Sequence, residues 1–162
     1  MLELINALTV EEYLKTYDEE KLNKHRELVK EIYRSSLLNN LKKENLDFRI
    51  LMFSESFCPD CLILFPFISF LNDQMGIDVK ILKRQGNEEL LKQLTGEARI
   101  PTVIFINKDD TLRGIIVEFP QEFKNMLINL SYEEMKDRIN KYREGKYIKL
   151  IEEEIVRILM TK

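Results

Sequence analysis

Apolar residues recur along the chain with two different spacings, and the change of spacing predicts the order of helices and strands. From Thr9 to about Leu46 they recur every three to four residues, which predicts one short and one long helix. The short helix begins with the capping-box pattern Thr9-Val10-Glu11-Glu12. The apolar stripe of the long helix consists of His25, Val29, Tyr33, Leu37 and Leu41. We therefore expect a helical segment before the first strand.

The first apolar run predicts a buried strand that leads through a turn into a helix. Residues Asp47 to Ser54 are nearly all apolar, which is typical of a central strand covered on both faces. The run from Leu62 to Asn72 then predicts a helix that ends near Gly76, since a residue without a Cβ suits the position after a helix. The local order is strand, turn, helix.

The next segments repeat the alternation of strand and helix. Ile77 to Lys83 alternates between apolar and polar residues, and Asn87 to Thr95 has helical spacing that ends at Gly96. Ile100 to Ile106 is a second apolar strand, which a polar turn separates from Leu112 to Phe119. We expect the last two strands to form an antiparallel hairpin. This order is that of an α/β protein.

Helices complete the chain after the hairpin. Pro120 lies close to the first position of a helix that runs to Leu130, where its missing N–H is tolerated. A second capping box, Ser131-Tyr132-Glu133-Glu134, begins a further helical segment. We expect Gly145 to interrupt this segment before the final apolar stripe.

Composition and charge limit the classes of partner. A chain of 162 residues with 44% hydrophobic and 33% charged residues is typical of one globular domain with a sizeable core. The net charge of -3 argues against a surface that neutralises phosphates, so no nucleic-acid partner is expected. The most apolar run, Cys61 to Leu71, is too short to cross a bilayer, so no membrane partner is expected either.

The N-terminus and the cysteine count both predict a cytoplasmic protein. The segment Met1-Leu2-Glu3-Leu4-Ile5-Asn6 places an acid where a signal peptide needs positive charge. Only two cysteines occur, Cys58 and Cys61, which excludes a secreted scaffold held by several disulfides. In a reducing compartment such a closely spaced pair is more often catalytic or metal-binding than a permanent crosslink.

These two cysteines are the candidate reactive groups. Cys58 lies where the predicted turn enters a helix, and unpaired N–H groups and the helix dipole lower a thiol pKa from its usual value of about 8.5. We therefore expect Cys58 to be the nucleophile. Cys61 follows at a helical neighbour position and is expected to resolve a mixed disulfide. Pro59 suits the first helical turn, and the Asp60 carboxylate should partly offset the effect of the dipole on Cys58.

The motif Phe57-Cys58-Pro59-Asp60-Cys61 follows an apolar strand, Pro66 lies in the next helix, and Ile100-Pro101-Thr102 precedes a later strand. With these features the chain resembles the thioredoxin family over roughly residues 47–130. The resemblance implies a three-layer α/β fold with a mixed sheet of about four strands flanked by helices. It divides one domain, residues 1–162, into a helical N-terminal extension (1–46), a thioredoxin core (47–130) and C-terminal helices (131–162). In its CPDC sequence and its extra helices the chain resembles a bacterial branch of small, helix-extended thioredoxin-like proteins.

The resemblance also implies the roles of individual residues. Cys58 and Cys61 would be the catalytic thiols, Pro66 would kink the active-site helix, and Pro101 would follow a cis peptide bond beside the sulfurs. The residues implied to contact the client are Phe57, Pro59, Asp60, Ile100 and Pro101. Ile100 would offer its backbone to an extended segment of the client.

Three positions depart from the pattern of the family. Phe57 replaces the usual tryptophan before the first cysteine. Met52 occupies the strand position where thioredoxins bury an acid that assists proton transfer. Arg99 stands where thioredoxins often have glycine, which places a cation near the expected client groove and predicts clients that are few or acidic.

The function predicted on these grounds is a thiol-disulfide oxidoreductase that reduces protein disulfides through a mixed disulfide. Its partners would be protein clients and a recycling reductase, and no metal or organic cofactor is required. A glutaredoxin-like enzyme is a close variant, although the Gly-Gly pair common in glutathione-binding relatives is missing. The alternative from another class is a non-catalytic adaptor or redox-sensing module, in which the extra helices cover the groove.

Metal binding is a further alternative for the cysteine pair. A zinc site needs about four ligands, and the chain offers only His25 besides the two thiols, on a distant helix. His25 itself is expected to be a partly buried structural residue of the apolar stripe. An iron-sulfur cluster bridged between two protomers is the other metal alternative.

Overall fold

The structure, a computed structural model, describes Leu4 and residues 6–161. Residues 1–3, 5 and 162 lie outside the described residues, and the expectation drawn from the N-terminal hexapeptide falls largely on them. The elements of the described part, in chain order, are α1 (Val10–Leu14), α2 (Glu19–Tyr33), α3 (Ser36–Leu41), β1 (Phe48–Phe53), α4 (Pro59–Met75), β2 (Asp78–Leu82), α5 (Glu88–Thr95), β3 (Thr102–Asn107), β4 (Leu112–Val117), α6 (Gln121–Leu127), α7 (Tyr132–Arg143) and α8 (Ile148–Met160).

The four strands form one mixed sheet in the order β2-β1-β3-β4. β1 pairs in parallel with β2 and antiparallel with β3, and β3 pairs antiparallel with β4. The predicted hairpin is therefore confirmed, and so is the α/β thioredoxin-like fold with a mixed sheet of four strands.

Helices cover both faces of the sheet, which explains why β1 shows no polar alternation. Successive side chains of a strand point to opposite faces. Ile50 and Met52 join the larger core cluster, to which α1, α2, α4, α7 and α8 contribute. Leu51 and Phe53 join a smaller cluster on the other face, which includes Leu91 of α5. The three layers are thus helices, sheet and a thinner helical cover.

Helix α4, which follows Cys58, is buried on almost every side. It carries an internal proline, Pro66, and packs against α2, α7 and α8. It ends at Gly76, whose φ of 66° is the left-handed conformation predicted for the residue after this helix. Because neighbours surround it, its apolar residues do not form a single stripe.

The prediction of one long N-terminal helix is wrong, because two helices occupy the segment. The hydroxyl of Ser35 accepts a hydrogen bond from the N–H of Leu38, and the extended backbone of Ser35 ends α2 and begins α3. The apolar stripe shifts at this cap. Leu38 is fully buried, whereas Leu37, which the pattern assigned to the stripe, is 39% exposed.

The C-terminal helices pack into the same core as the sheet. The capping box of Ser131 and Glu134 is present at the start of α7, and Gly145, with φ of 88°, separates α7 from α8. Ile151, Ile155 and Leu159 form the buried stripe of α8. Within the described residues, none of the helices has the length and apolar character needed to cross a membrane.

Candidate functional site

Cys58 is the residue that caps the N-terminus of α4. Its backbone is extended, and its sulfur accepts a hydrogen bond from the N–H of Cys61 at 3.4 Å. Pro59 takes the first helical position, where the N–H that it lacks would have no partner within the helix. The sulfur therefore acts as the N-cap acceptor, a role that a serine or aspartate oxygen has at most helix starts. It lies at the positive end of the helix dipole.

The two thiols differ sharply in their access to solvent. Both cysteines are free, but Cys58 is only partly buried while Cys61 is fully buried. A dissolved disulfide can therefore reach the sulfur of Cys58 first. The sulfur of Cys61 can react only with a group that is already bound at Cys58.

The pKa values of the two thiols move in opposite directions. Hydrogen bonds from the thiol and the backbone N–H of Cys61 lower the pKa of Cys58 to about 7, against burial and the negative charge of Asp60. Burial raises the pKa of Cys61, and the adjacent Cys58 raises it further. At neutral pH, Cys58 is thus the thiol with the larger thiolate fraction.

The peptide bond between Ile100 and Pro101 is cis, as the resemblance implied. Pro101 directly precedes β3, and its neighbour Thr102 pairs with Phe53, the last residue of β1. The start of β3 and the end of β1, from which the chain continues toward Cys58, therefore lie at the same end of the sheet. The carbonyl of Pro101 accepts a hydrogen bond from the N–H of Glu118 at 2.7 Å, which ties this turn to the end of β4.

The surface around Cys58 is only partly covered. Phe57 is 67% exposed, Pro59 is also exposed, and Ile100 is half-buried. Pro101 is buried. Phe57 and Pro59 thus leave exposed apolar residues directly before and after the accessible thiol in the sequence, and the contact of these positions with clients stays a prediction.

Asp60 forms an ion pair with Arg143 that was not predicted from the sequence. Its side chain is 10% exposed, and its two carboxylate oxygens accept hydrogen bonds from Arg143, Oδ1 from Nε at 2.9 Å and Oδ2 from Nη2 at 3.1 Å. This bidentate pair leaves the carboxylate little surface for a client. The assignment of Asp60 as a client-contact residue stays a prediction, and its observed partner is within the chain.

Buried polar side chains come from α1 and from the residues that directly follow β1. The hydroxyls of Tyr13 and Ser54 share a hydrogen bond of 2.6 Å, and the Ser54 hydroxyl also acts to lower the pKa of Cys61. Glu55 is buried and accepts a hydrogen bond from the N–H of Gln85 at 3.0 Å. Tyr13, Ser54 and Glu55 are not among the residues expected from the sequence, although two polar residues directly after a buried strand are a recognisable signal for Ser54 and Glu55.

Arg99 is exposed but its charge is compensated. Its guanidinium forms ion pairs with Glu97 and with Glu118, the latter at 2.9 Å. The cation expected near the client groove is therefore part of a charge cluster with two carboxylates. This pairing weakens the argument that Arg99 alone selects acidic clients.

His25 is a structural residue of α2, as expected from the apolar stripe. It is buried, and its ring packs on Phe65 with centroids 5.4 Å apart. Among the residues that the structure describes, His, Cys, Asp and Glu side chains form no group of three or more with the placement of metal ligands.

Comparison with known proteins supports the fold and gives the family. A family model described as thioredoxin matches residues 7–148. None of the curated proteins matches the chain. A protein of unknown function from Pseudomonas aeruginosa has 19% identity and a TM-score of 0.76, covering 98% of this chain and 97% of its own. An HIV epitope-scaffold has 19% identity and a TM-score of 0.75, covering 94% and 92%. At such identity these two structures bear on the fold alone.

Proposed function

Because the chain belongs to the thioredoxin family, we propose that it is a thiol-disulfide oxidoreductase that reduces disulfides of protein clients through Cys58 and Cys61. The observation that carries this proposal is the difference between the two thiols. Cys58 is accessible and has a lowered pKa, whereas Cys61 is buried one helical turn away with a raised pKa. This is the asymmetry that an attacking and a resolving thiol require.

In the first step, the Cys58 thiolate attacks one sulfur of the client disulfide. A bond forms between Cys58 and that sulfur, the client disulfide breaks, and the second client sulfur leaves as a thiolate that takes up a proton. The N–H of Cys61 and the end of α4 stabilise the negative charge on Cys58 before the attack.

In the second step, Cys61 loses its proton and attacks the sulfur of Cys58. The mixed disulfide breaks, the client leaves with its second thiol, and a disulfide joins Cys58 to Cys61. The client gains two electrons and two protons, while the enzyme loses two electrons, the Cys61 proton and the proton that Cys58 released when its thiolate formed. A dithiol reductant, or a reductase that acts as one, returns the enzyme to two thiols.

We further propose that the client lies along a surface formed by Phe57, Pro59 and Ile100, next to the buried Pro101. The exposure of Phe57 and Pro59, the neighbours of Cys58 in the sequence, supports this assignment. The proposed direction, reduction of the client, belongs to a reducing compartment such as the cytoplasm, where dithiols are kept reduced.

Turnover of insulin with dithiothreitol as the reductant tests the proposal. The wild-type chain should accelerate the precipitation of insulin chains above the rate of dithiothreitol alone, and Cys58→Ser should abolish the acceleration. Cys61→Ser keeps the attacking thiol and should form a mixed disulfide that only dithiothreitol resolves. A parallel assay with glutathione separates the glutaredoxin-like variant.

The adaptor or redox-sensing alternative predicts a different result. If the folded wild-type chain gives no acceleration over dithiothreitol alone, catalysis is contradicted and a binding role is favoured. Helical circular dichroism of each variant serves as the control that loss of activity is not loss of fold.

A further inference from the structure

The end of α7 reaches the first turn of α4 through one ion pair. Arg143, the last residue of α7, donates two hydrogen bonds to Asp60, which lies between the two cysteines in the sequence. The pair joins residues that are 83 positions apart. The Asp60 side chain is 10% exposed and that of Arg143 is 39% exposed, so the contact is largely shielded from water on the carboxylate side.

A carboxylate at this position works against the chemistry of Cys58. Asp60 lies within two residues of the sulfur, and its negative charge raises the pKa of Cys58. The same carboxylate is favoured by the positive end of the helix dipole, which explains why it is tolerated there. An unpaired carboxylate with so little exposure would also be costly to bury.

Other contacts hold Arg143 in place. Its backbone carbonyl accepts a hydrogen bond from the side chain of Lys24 at 3.0 Å, which links the end of α7 to α2. The preceding residue, Tyr142, is fully buried and packs its ring against Phe119 and Phe123. The guanidinium is therefore presented to Asp60 by a fixed backbone rather than by a free side chain on a loop.

We propose that Arg143 is a positioning residue of the exchange site, which fixes the Asp60 carboxylate and balances its charge beside the Cys58 sulfur. The importance of this role for catalysis rests on the proposed function, but its electrostatic part can be measured on the thiols alone. The C-terminal helices would then do more than add stability, since α7 supplies a charge to the active site.

The groups that face Cys58 come from several elements. Asp60 and Cys61 belong to α4, and Arg143 belongs to α7, where its charge is also influenced by Cys58 and Glu118. Tyr13 of α1 and Tyr17 after it are close enough for the charge of Cys58 to raise their pKa values. Burial is the main reason that both tyrosine pKa values are raised, so both stay neutral near pH 7. At neutral pH Asp60 and Arg143 therefore supply opposite charges, and Glu118 adds a negative charge that acts on Arg143.

A set of four charge variants tests the proposal through the pH dependence of Cys58 alkylation by iodoacetamide, followed by mass spectrometry of the reduced chain. Arg143→Gln should raise the apparent pKa of Cys58 by about one unit and slow its alkylation at pH 7 about fivefold. Arg143→Lys keeps the charge without the bidentate geometry and should give a smaller shift. Asp60→Asn should lower the pKa, because the opposing charge is removed.

The double variant Asp60→Asn/Arg143→Gln distinguishes charge balance from structural support. It lacks the ion pair, yet it should return the pKa of Cys58 close to the wild-type value. Arg157→Gln is the matched control, because Arg157 is paired with Glu154 on α8. This control should leave the pKa unchanged.

Two results would overturn the proposal. One is a folded Arg143→Gln chain in which Cys58 has the wild-type pKa. The other is a double variant that keeps the full shift of Arg143→Gln. If Arg143→Gln does not fold, the double variant is compared with Asp60→Asn, and an equal pKa of Cys58 in these two chains overturns the proposal. Insulin turnover by the wild type is scored separately, so failure of the oxidoreductase function does not mimic either result.

Discussion

The hydroxyl groups of Tyr13 and Ser54 lie 2.6 Å apart in the interior of the protein. Tyr13 belongs to α1, and Ser54 directly follows the central strand β1 and acts on the buried thiol of Cys61. The N-terminal helices are thereby tied to the back of the candidate active site. Since Met52 is apolar and fully buried, the polar surroundings of Cys61 come from Ser54 instead of a strand acid.

Removal of the Tyr13 hydroxyl should destabilise the protein. Tyr13→Phe keeps the ring but leaves the buried Ser54 hydroxyl without its partner, and we expect a loss of about 1–2 kcal/mol in the free energy of unfolding. Urea denaturation measures this loss. Tyr33→Phe is the matched control, because its hydroxyl donates to Asp73 at the surface, and it should cost less than about 0.5 kcal/mol. Equal effects of the two variants would contradict the account.

The reactivity of Cys58 should change with pH around neutrality. Only the thiolate reacts, so below its pKa of about 7 the alkylation rate should fall about tenfold per pH unit, and above it the rate should level off. Cys61 should remain unmodified near pH 7, since it is fully buried and its pKa is raised. Rate measurements from pH 5 to 9 with peptide mapping test both points. A midpoint near the ordinary thiol value, or earlier reaction of Cys61, would be incompatible with the site as described.

His25 should make the protein less stable in mild acid. Burial lowers its pKa from 6.5 to about 4, so between these values the unfolded chain binds a proton that the folded chain does not. Stability attributable to His25 is therefore lost as pH falls from 6.5 toward 4, by up to about 3 kcal/mol. Urea denaturation at pH 7 and pH 4.5 should show a smaller loss for His25→Phe, which keeps an aromatic ring on Phe65. The same loss in both proteins would refute this prediction.

Gly114 should be intolerant of a side chain because α8 approaches β4 closely there. A Cβ at this position would lie 2.6 Å from Cγ2 of Ile158, which is too short for two carbon atoms. We expect Gly114→Ala to lower the free energy of unfolding by about 1–3 kcal/mol. Ile158→Ala in the same chain should recover part of this loss, and the double-mutant cycle measures the coupling between the two sites. Strictly additive effects would argue against the close contact.

The order of the elements could be predicted from the sequence because local signals mark it. Gly76 and Gly96 lie after helices, and the polar turn after β3 separates two apolar strands. The end of α2 before Ser35 could not be predicted from the apolar period, since the apolar spacing in the sequence continues through Leu37. The side-chain cap of Ser35 overrides that period and brings Leu38 into the core.

The candidate site also contains residues that could be predicted from the sequence and residues that could not. Cys58, Cys61 and Pro101 belong to short motifs, and their local geometry could be predicted from spacing and family resemblance. Arg143 could not be predicted as the partner of Asp60, because that contact depends on how α7 packs against α4. Long-range polar contacts of this kind are set by tertiary packing, which no local pattern records.

The most direct test of the dithiol mechanism is one turnover without any other reductant. The reduced chain is mixed with a peptide disulfide, quenched with acid at intervals and analysed by mass spectrometry. We expect a transient adduct on Cys58, followed by a Cys58–Cys61 disulfide and the release of both peptide thiols, with Cys61→Ser stopping at the adduct. An adduct on Cys61, a wild-type adduct that never resolves, or no release of peptide thiol would contradict the dithiol mechanism.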